Sequence, residues 1–232
     1  LTGTVRTVVS GAAADILVAP VLTEEGEVWA IFPLASADVE ELPSLDPTRR
    51  VASVRLDGQQ VGASDQLTVS RDAAHDLIAC VVAAEAAGLA AWCLDTATEY
   101  AKQRRQFGRP IGQFQAVKHR LADMMVDLEH ARSTAYHAVW ALTDGSDDPT
   151  LAASIAQATC SAAFSRIATD AIQTLGGIGF TWEHQAHLYF KRATSDAALL
   201  GSAEQHRSRV AELVLDTASG EKPPRVSNGT RG

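Results

Sequence analysis

The sequence predicts an α+β protein that is mainly α, with a partial antiparallel β-domain at residues 1–70 and an up-down four-helix-type bundle at residues 71–217. Two observations carry this prediction. Before residue 70, short runs rich in β-branched residues alternate with turn residues, as strands of a small sheet do. After it, apolar residues recur three to four positions apart, as in amphipathic helices. Residues 218–232 lack such periodicity and are predicted to form a flexible tail.

The first seventy residues are expected to contain four strands, at Thr4–Ser10, Asp15–Leu22, Glu27–Pro33 and Arg50–Leu56. The dipeptide Asp57-Gly58 is typical of a two-residue hairpin turn, so we expect a hairpin whose second strand contains Val61. Four short strands form a single small layer. Such a layer needs another surface of the protein to cover its apolar face.

Helices are expected from residue 70 onward, because Ser70-Arg71-Asp72 is a helix start signal. The first helix is predicted to run to about Gln106, ahead of Gly108 and Pro110. The other four are expected at Gly112–Thr143, Pro149–Leu175, Trp182–Ser195 and Ala197–Leu215. Short connections place successive helices side by side and antiparallel, which gives the up-down arrangement.

The charge balance narrows the possible partners. The chain has 28 acidic and 20 basic residues and a formal net charge of −8. A nucleic acid partner is therefore not predicted, because phosphate backbones require a basic surface. A local basic site for a phosphorylated small molecule remains compatible with this charge.

Cysteine and histidine spacing predicts neither disulfides nor a metal site. The three cysteines do not have the spacing of metal ligands. We therefore expect free, buried thiols and a reducing compartment, which we take to be the cytoplasm. If residues 183–187 are helical, His184 and His187 are expected to share a face beside Glu183, but the sequence offers no third ligand.

One segment, Leu77–Leu94, is apolar enough to suggest a membrane span. Glu85 lies at its centre, however, and would cost about 2.5 kcal/mol or more in lipid. The segment is rich in alanine and continues without a break into an amphipathic helix. We therefore predict a helix buried within the bundle and no membrane association.

The segment Gln103–Gln115 reads QRRQFGRPIGQFQ and brings Arg104, Arg105 and Arg109 together around Phe107. Cations at the C-terminus of a helix are favoured by the helix dipole, which requires no ligand. Three guanidinium groups beside an aromatic ring also suit a pyrophosphate group. The residues alone leave both interpretations open.

A second segment, Gln173–Phe180, reads QTLGGIGF and contains three glycines. Glycine permits positive φ angles and close approach of another group to the backbone. The segment follows a predicted helix rather than a strand, so it is not the dinucleotide-binding turn of a Rossmann fold. A helix stop needs one glycine, so three exceed that requirement.

These two segments resemble the C-terminal half of an acyl-CoA dehydrogenase, over Ala86–Met125 and Asp170–Phe180. The opening LTGTVRTVVSGAAADILVAP resembles the middle of that family's β-domain, and GIGFTWEHQAHLYFKRA is similar to actinobacterial members that act on bulky acyl thioesters, including steroid side chains. The resemblance implies a flavoenzyme that oxidises the Cα–Cβ bond of an acyl-CoA to a trans-2-enoyl-CoA. It also implies that the electrons pass to an electron-transferring flavoprotein.

The resemblance implies FAD as the cofactor and assigns its contacts residue by residue. Arg104 corresponds to the family's pyrophosphate arginine, and further FAD contacts fall on Gln106, Phe107 and Gln115. Contacts to the adenine and pyrophosphate of an FAD held mainly by a neighbouring subunit fall on Gln173, Gly176 and Gly177. The family's flavin-holding loop and N-terminal helical domain would precede residue 1. This chain is therefore expected to hold at most the adenosine–pyrophosphate end of FAD.

The carboxylate that serves as the family's catalytic base is missing from both positions where the family carries it. Leu200 occupies the usual position and Ile78 the alternative position on the first long helix, and neither side chain can transfer a proton. Glu85 is a weak candidate replacement, because burial would raise its pKa toward that of a base. The alternative interpretation is a buried carboxylate bonded to a neighbouring helix. A further departure is Lys191-Arg192, where the family commonly has Arg-Asp.

The leading hypothesis is a non-catalytic subunit of a heteromeric acyl-CoA dehydrogenase, paired with a complete homologous subunit in an α2β2 assembly. It explains why the cofactor motifs are intact while both base positions are lost. One alternative is an active homomeric dehydrogenase that uses Glu85 as its base. Another is a structural or interaction protein that keeps the dehydrogenase scaffold without FAD.

Overall fold

A computed structural model of the chain describes residues 1–23, 26–145 and 147–218. This part is mainly helical with small antiparallel sheets, which confirms the predicted fold class. The strands are β1 (Gly3–Val9), β2 (Ile16–Thr23), β3 (Gly26–Pro33), β4 (Asp38–Leu42), β5 (Val51–Leu56), β6 (Gln66–Leu67), β7 (Arg105–Gln106) and β8 (Arg109–Pro110). The helices are α1 (Arg71–Gln103), α2 (Gln115–Asp144), α3 (Pro149–Leu175), α4 (Ala186–Asp196) and α5 (Ala203–Ala218). Apart from Ala218, the predicted tail lies outside the described residues.

The strands before α1 form two three-stranded antiparallel sheets, with the orders β1-β5-β4 and β2-β3-β6. Val54 and Leu56 of β5 belong to one buried cluster with Leu17 of β2 and Phe32 of β3. Because this cluster takes residues from both sheets, the two sheets cover each other's apolar faces. The strand region therefore has two small layers instead of the single expected layer.

Strand β4 is absent from the sequence prediction, because Asp and Glu are depleted in strands and its sequence is DVEEL. Strand β4 forms nevertheless, because its acidic residues make ion pairs with arginines on or beside β5. Arg55 donates to Asp38 at 3.0 Å, and Arg50 donates to Glu41 at 2.9 and 2.7 Å. Opposite charges across neighbouring strands stabilise this pairing where propensity does not.

The prediction of a hairpin at Asp57-Gly58 is wrong. Strand β5, which ends just before this turn, already pairs with β1 on one edge and β4 on the other. No edge of β5 is left for a strand containing Val61. After the turn, the backbone N–H of Gln59 instead donates to the carbonyl oxygen of Leu1 at 2.9 Å.

Capping fixes the starts of two long helices. The Ser70 hydroxyl accepts a hydrogen bond from the Ala73 N–H at 3.1 Å, so α1 starts where the sequence predicts. The Asp148 carboxylate accepts from the N–H groups of Thr150 and Leu151 at 3.0 and 3.1 Å. Helix α3 has the predicted bounds as a result.

The other helix boundaries differ from the prediction. Helix α1 ends at Gln103 rather than Gln106, because the chain turns back on itself through β7 and β8. Helix α2 starts later than predicted, because Ile111–Gln113 form a 3₁₀ turn. Helix α4 also begins late, at Ala186. Helix α5 starts at Ala203, since Leu200 and Gly201 adopt positive φ angles that interrupt a helix.

The helical bundle has a core rich in alanine, to which α1, α2, α3 and α4 contribute. Alanine side chains let helices approach closely. In the described part of the chain, α1 is the one helix that is long and apolar enough to cross a membrane by length and composition. Half of its most apolar window is buried by the rest of the protein.

Candidate functional site

The two motif segments, residues 103–115 and 173–180, lie at one end of the bundle, which we call the motif end. Helices α1 and α3 finish there and α2 begins there. An ion pair of 3.3 Å between Arg120 and Asp170 holds the start of α2 beside the end of α3. A Cβ added to Gly112 would lie 3.0 Å from the carbonyl oxygen of Ala101, so this connection packs closely on α1. Both segments thus lie at the same end of the bundle.

Residues 105–110 form a small hairpin at the motif end. Gln106 pairs with Arg109 across it, and Phe107 and Gly108 make the turn with φ angles of 50° and 78°. Positive φ angles at both positions are the ordinary geometry of a two-residue hairpin turn, although such an angle is uncommon for phenylalanine. The Phe107 side chain is 91% exposed, with an edge-on contact to Phe114 at 6.1 Å. An aromatic ring is therefore presented outward.

Arg104, just before the hairpin, and Arg105 and Arg109 within it are not neutralised by ion pairs among the described residues. All three side chains are exposed. The Arg109 guanidinium lies 4.3 Å from the centroid of the Phe114 ring. The helix dipole accounts for Arg104 and Arg105 at the end of α1, but not for Arg109 on β8. Three free guanidinium groups suit an anionic group.

The three glycines of the second segment have three different surroundings. Gly176 ends α3 with a φ angle of 65°, which accounts for glycine there. A Cβ on Gly179 would lie 3.0 Å from both the Ile172 carbonyl oxygen and the Leu175 Cβ, so packing requires that glycine. A Cβ on Gly177 would meet nothing within 4 Å, and its backbone is exposed. The bare backbone of Gly177 is open to a group from outside the chain.

The family resemblance assigns the positions of the catalytic base to Leu200 and Ile78. Leu200 lies in the turn between α4 and α5 and packs against the bundle core. The carbonyl oxygen of Leu200 accepts a hydrogen bond from Nε2 of His206 at 3.1 Å, and the His206 ring stacks on that of His75 at 5.9 Å. Ile78 lies one turn further along α1 than His75. Both positions hold apolar side chains, so neither supplies a proton acceptor.

Two imidazole groups, those of His206 and His75, lie beside Leu200. His206 is buried, its Nε2–H is engaged with Leu200, and burial lowers its pKa. The Nδ1 atom of His75 accepts a hydrogen bond from the Arg209 guanidinium at 3.0 Å. These contacts hold the turn between α4 and α5 against α1.

Glu85 is engaged by two arginines from different parts of the fold. The Arg49 guanidinium donates to one of its carboxylate oxygens and the Arg192 guanidinium to the other. Arg49 precedes β5, and Arg192 lies on α4. This geometry favours the interpretation of Glu85 as a carboxylate bonded to a neighbouring helix over its interpretation as a base.

Four charged residues around Glu85 were not identified from the sequence: Asp46, Arg49, Arg192 and Asp196. The one sequence signal was Arg192 itself, at a position where the family commonly has an aspartate. The partners of Arg192 are far away in the chain, and spacing within the sequence does not reveal such contacts.

The cysteines do not provide reactive thiols. Cys80, Cys93 and Cys160 are buried and unpaired. Burial raises the pKa of these thiols to about 11, 12 and 11, respectively. The described residues include no group of three or more His, Cys, Asp or Glu placed to hold a metal ion.

Comparison with known proteins agrees with the fold and the motifs. The model of the acyl-CoA dehydrogenase C-terminal domain matches residues 77–215. Acyl-CoA dehydrogenase FadE34 of Mycobacterium tuberculosis is 41% identical over 215 residues, which cover 91% of this chain and 29% of that protein.

Two similar solved structures contain pairs of named chains. The ChsE4–ChsE5 complex from Mycobacterium tuberculosis matches with a TM-score of 0.84 and 30% identity, over 97% of this chain and 60% of that chain. A Tcur3481–Tcur3483 steroid ACAD variant matches with a TM-score of 0.84 and 27% identity, over 94% of this chain and 60% of that chain.

The chain spans less than two thirds of the length of each of these relatives. The match to the family model nevertheless covers more than half of the chain, and both motif segments lie within it. The chain therefore belongs to the acyl-CoA dehydrogenase family.

Proposed function

We propose that the chain is a subunit of a heteromeric FAD-dependent acyl-CoA dehydrogenase, to which it contributes FAD-binding residues across a subunit interface but no catalytic carboxylate. One combination of features carries this proposal. The motif end keeps arginines that have no carboxylate partner in the part of the chain that the structure describes. Leu200 and Ile78, in contrast, occupy the two positions that the resemblance assigns to the family's base. A chain that had lost every role in the reaction would have no reason to keep the first feature.

The hairpin at the motif end fits the pyrophosphate of FAD. The Arg104 guanidinium offers two parallel N–H donors to phosphate oxygens, and charge-assisted bonds of this kind are among the strongest. Gln106 and Gln115 are exposed and can donate through their side-chain amides. The ring of Phe107 gives the cofactor a flat apolar surface beside these donors.

The end of α3 fits the adenine half of the same cofactor. Gly176 turns the chain, and the open backbone of Gly177 lets a planar group or a phosphate come close. Gln173 is exposed on the last turn of α3 and can hydrogen-bond the adenine edge. These residues bind and orient the adenosine–pyrophosphate end only.

FAD held by these residues would supply the hydride acceptor for oxidation of the Cα–Cβ bond of an acyl-CoA. The residues of this chain position the cofactor and move no proton at the substrate, because Leu200 and Ile78 carry no ionisable group. Glu85 keeps both oxygens on Arg49 and Arg192. The base that removes the α-proton therefore belongs to the partner subunit.

We assign the partner as a complete homologous subunit in an α2β2 assembly. The similar structures named as a ChsE4–ChsE5 complex and a Tcur3481–Tcur3483 steroid ACAD support a two-chain enzyme. The word steroid in the second name supports our proposal of a steroid acyl-CoA as the substrate. An electron-transferring flavoprotein would take the electrons, and the free thiols fit the cytoplasm.

The test is to purify the chain alone and together with a co-expressed complete homologue, and to measure flavin absorbance and dehydrogenation of a steroid acyl-CoA. We expect flavin and turnover in the complex and neither in the isolated chain. Full activity of the isolated chain would contradict the proposal. A complex whose melting temperature does not respond to saturating FAD would indicate a scaffold without cofactor, because a ligand that binds the folded state stabilises it.

A further inference from the structure

A group of five charged residues joins the strand region to the bundle, and we call it the ion cluster: Asp46, Arg49, Glu85, Arg192 and Asp196. Asp46 and Arg49 lie between β4 and β5, Glu85 on α1, and the last two on α4. The Arg49 guanidinium contacts Glu85 and lies 2.8 Å from Asp196. The Arg192 guanidinium contacts Asp46 and Glu85. Three separate segments therefore meet through charge.

Four of the five side chains of the ion cluster are buried to a degree unusual for charged groups, and the side chain of Glu85 is 32% exposed. Asp46 and Asp196 are 0% and 1% exposed, and the side chains of Arg49 and Arg192 are mostly covered. Another ion pair in the described residues that links strands to helices, Arg71 with Glu27, is exposed and 3.6 Å long. Exposed pairs contribute little, whereas buried charges require compensation.

The ion cluster has three carboxylates and two guanidinium groups, so one negative charge is in excess. Asp46 is well compensated, since Thr48 donates to it through its hydroxyl at 2.6 Å and its N–H at 2.8 Å. Burial opposes its ionisation, but these bonds and Arg192 together keep the pKa of Asp46 below its usual value. Glu85 has a guanidinium on each oxygen. Asp196 differs from both: its two carboxylate oxygens are buried and have no hydrogen-bond partner among the described residues, although a guanidinium nitrogen of Arg49 lies 2.8 Å from one of them. The excess charge therefore falls on Asp196.

We propose that the ion cluster is a proton-dependent clamp between the loop before β5 and the bundle, tight when Asp196 carries a proton and weakened when Asp196 ionises. With Asp196 neutral, two guanidinium groups face two carboxylates and the buried charges balance. Ionisation adds a third carboxylate in a place that water does not reach. The clamp is also connected to the turn that holds Leu200, because α4 carries Arg192 and Asp196 and leads directly into that turn.

The direction of the pH dependence follows from the groups that face Asp196. Burial raises its pKa to about 6, Glu85 and Asp46 act in the same direction, and Arg49 and Arg192 oppose them. A pKa above the unfolded value of 3.8 means that the proton stabilises the folded state. The stabilisation by the proton is complete at pH values below the pKa that Asp196 has in the unfolded state. It is lost as the pH rises through about 6, the pKa in the folded state.

The first test compares Asp196→Asn with Asp46→Asn in the purified chain, and in its complex once the partner is known. Thermal and urea unfolding are followed from about pH 4 to pH 8. Asparagine cannot ionise, so Asp196→Asn should be at least as stable as the wild type at neutral pH. The loss of stability in Asp46→Asn should be larger at neutral pH than at low pH, because Asp46 is ionised in the folded state. Strong destabilisation of Asp196→Asn at neutral pH would overturn the proposal.

The second test measures local opening of the clamp. The amide hydrogen exchange rates of residues 47–51 are compared with those of the core of α3. After correction for intrinsic exchange, we expect opening of this loop to increase by up to about 100-fold between pH 4 and pH 7, since each pKa unit is a factor of ten. Glu85→Gln frees Arg49 and Arg192 to compensate Asp196, so it should move the transition to lower pH. An unchanged transition in Glu85→Gln, or one that persists in Asp196→Asn, would refute the clamp.

Discussion

Two groups of arginines in this protein have opposite surroundings. In the ion cluster, each guanidinium is mostly buried and contacts two carboxylates. At the motif end, Arg104 and Arg105 are exposed and form no ion pair with any residue in the described ranges. Arginine is always charged, so a site that leaves it without a counter-charge is suited to an anion from elsewhere. The comparison separates arginines that hold the fold together from arginines that are available to a ligand.

The largest expected effect comes from breaking the ion cluster. Arg192→Leu leaves Asp46 buried without its guanidinium, and removing one partner of a buried ion pair costs about 3–5 kcal/mol. The matched change Arg105→Leu, at the motif end, should leave the free energy of unfolding unchanged. Urea unfolding of both variants measures the difference. Equal losses in the two variants would remove the distinction between the two arginine groups.

A smaller effect separates two glycines of the motif end. Gly179→Ala places a Cβ 3.0 Å from Ile172 and Leu175 atoms, and overpacking of this kind costs about 1–3 kcal/mol. Gly177→Ala meets nothing within 4 Å, so the free energy of unfolding should not change. In the complex, however, Gly177→Ala should lower flavin retention. Calorimetry and flavin absorbance test the pair, and a Gly177→Ala complex that retains all its flavin would show that no ligand approaches this backbone.

The sequence anticipates the helices and the motif end better than the strand region, for physical reasons. Capping by Ser70 and Asp148 is local, so the starts of α1 and α3 follow from nearby residues. Strand β4 depends instead on cross-strand partners of Asp38 and Glu41, which spacing along the chain does not show.

The same limit applies to the ion cluster. Glu85 is visible as a charge in an apolar helix, but Arg49 and Arg192 reach it only after the strand region docks on the bundle. The FAD-binding roles of Arg104 and Gln173 come from family resemblance. The structure adds that the two segments containing them share one end of the bundle.

The smallest expected effect concerns catalysis. Glu85→Gln should leave the turnover of the complex unchanged at neutral pH, because hydrogen bonds from Arg49 and Arg192 occupy both Glu85 oxygens and make this carboxylate unsuited to accept a proton. Steady-state dehydrogenation by the wild-type and variant complexes measures this. A loss of turnover without loss of flavin would instead favour the homomeric alternative, in which Glu85 is the base.

The most direct test of the central claim is flavin retention by the complex after charge reversal at the motif end. Arg104→Glu is compared with Arg71→Glu, an exposed arginine at the opposite end of the same helix. Bound FAD is quantified by absorbance after gel filtration. If this chain supplies the pyrophosphate arginine, Arg104→Glu loses most of the flavin and Arg71→Glu keeps it. Full flavin retention by Arg104→Glu would contradict the account.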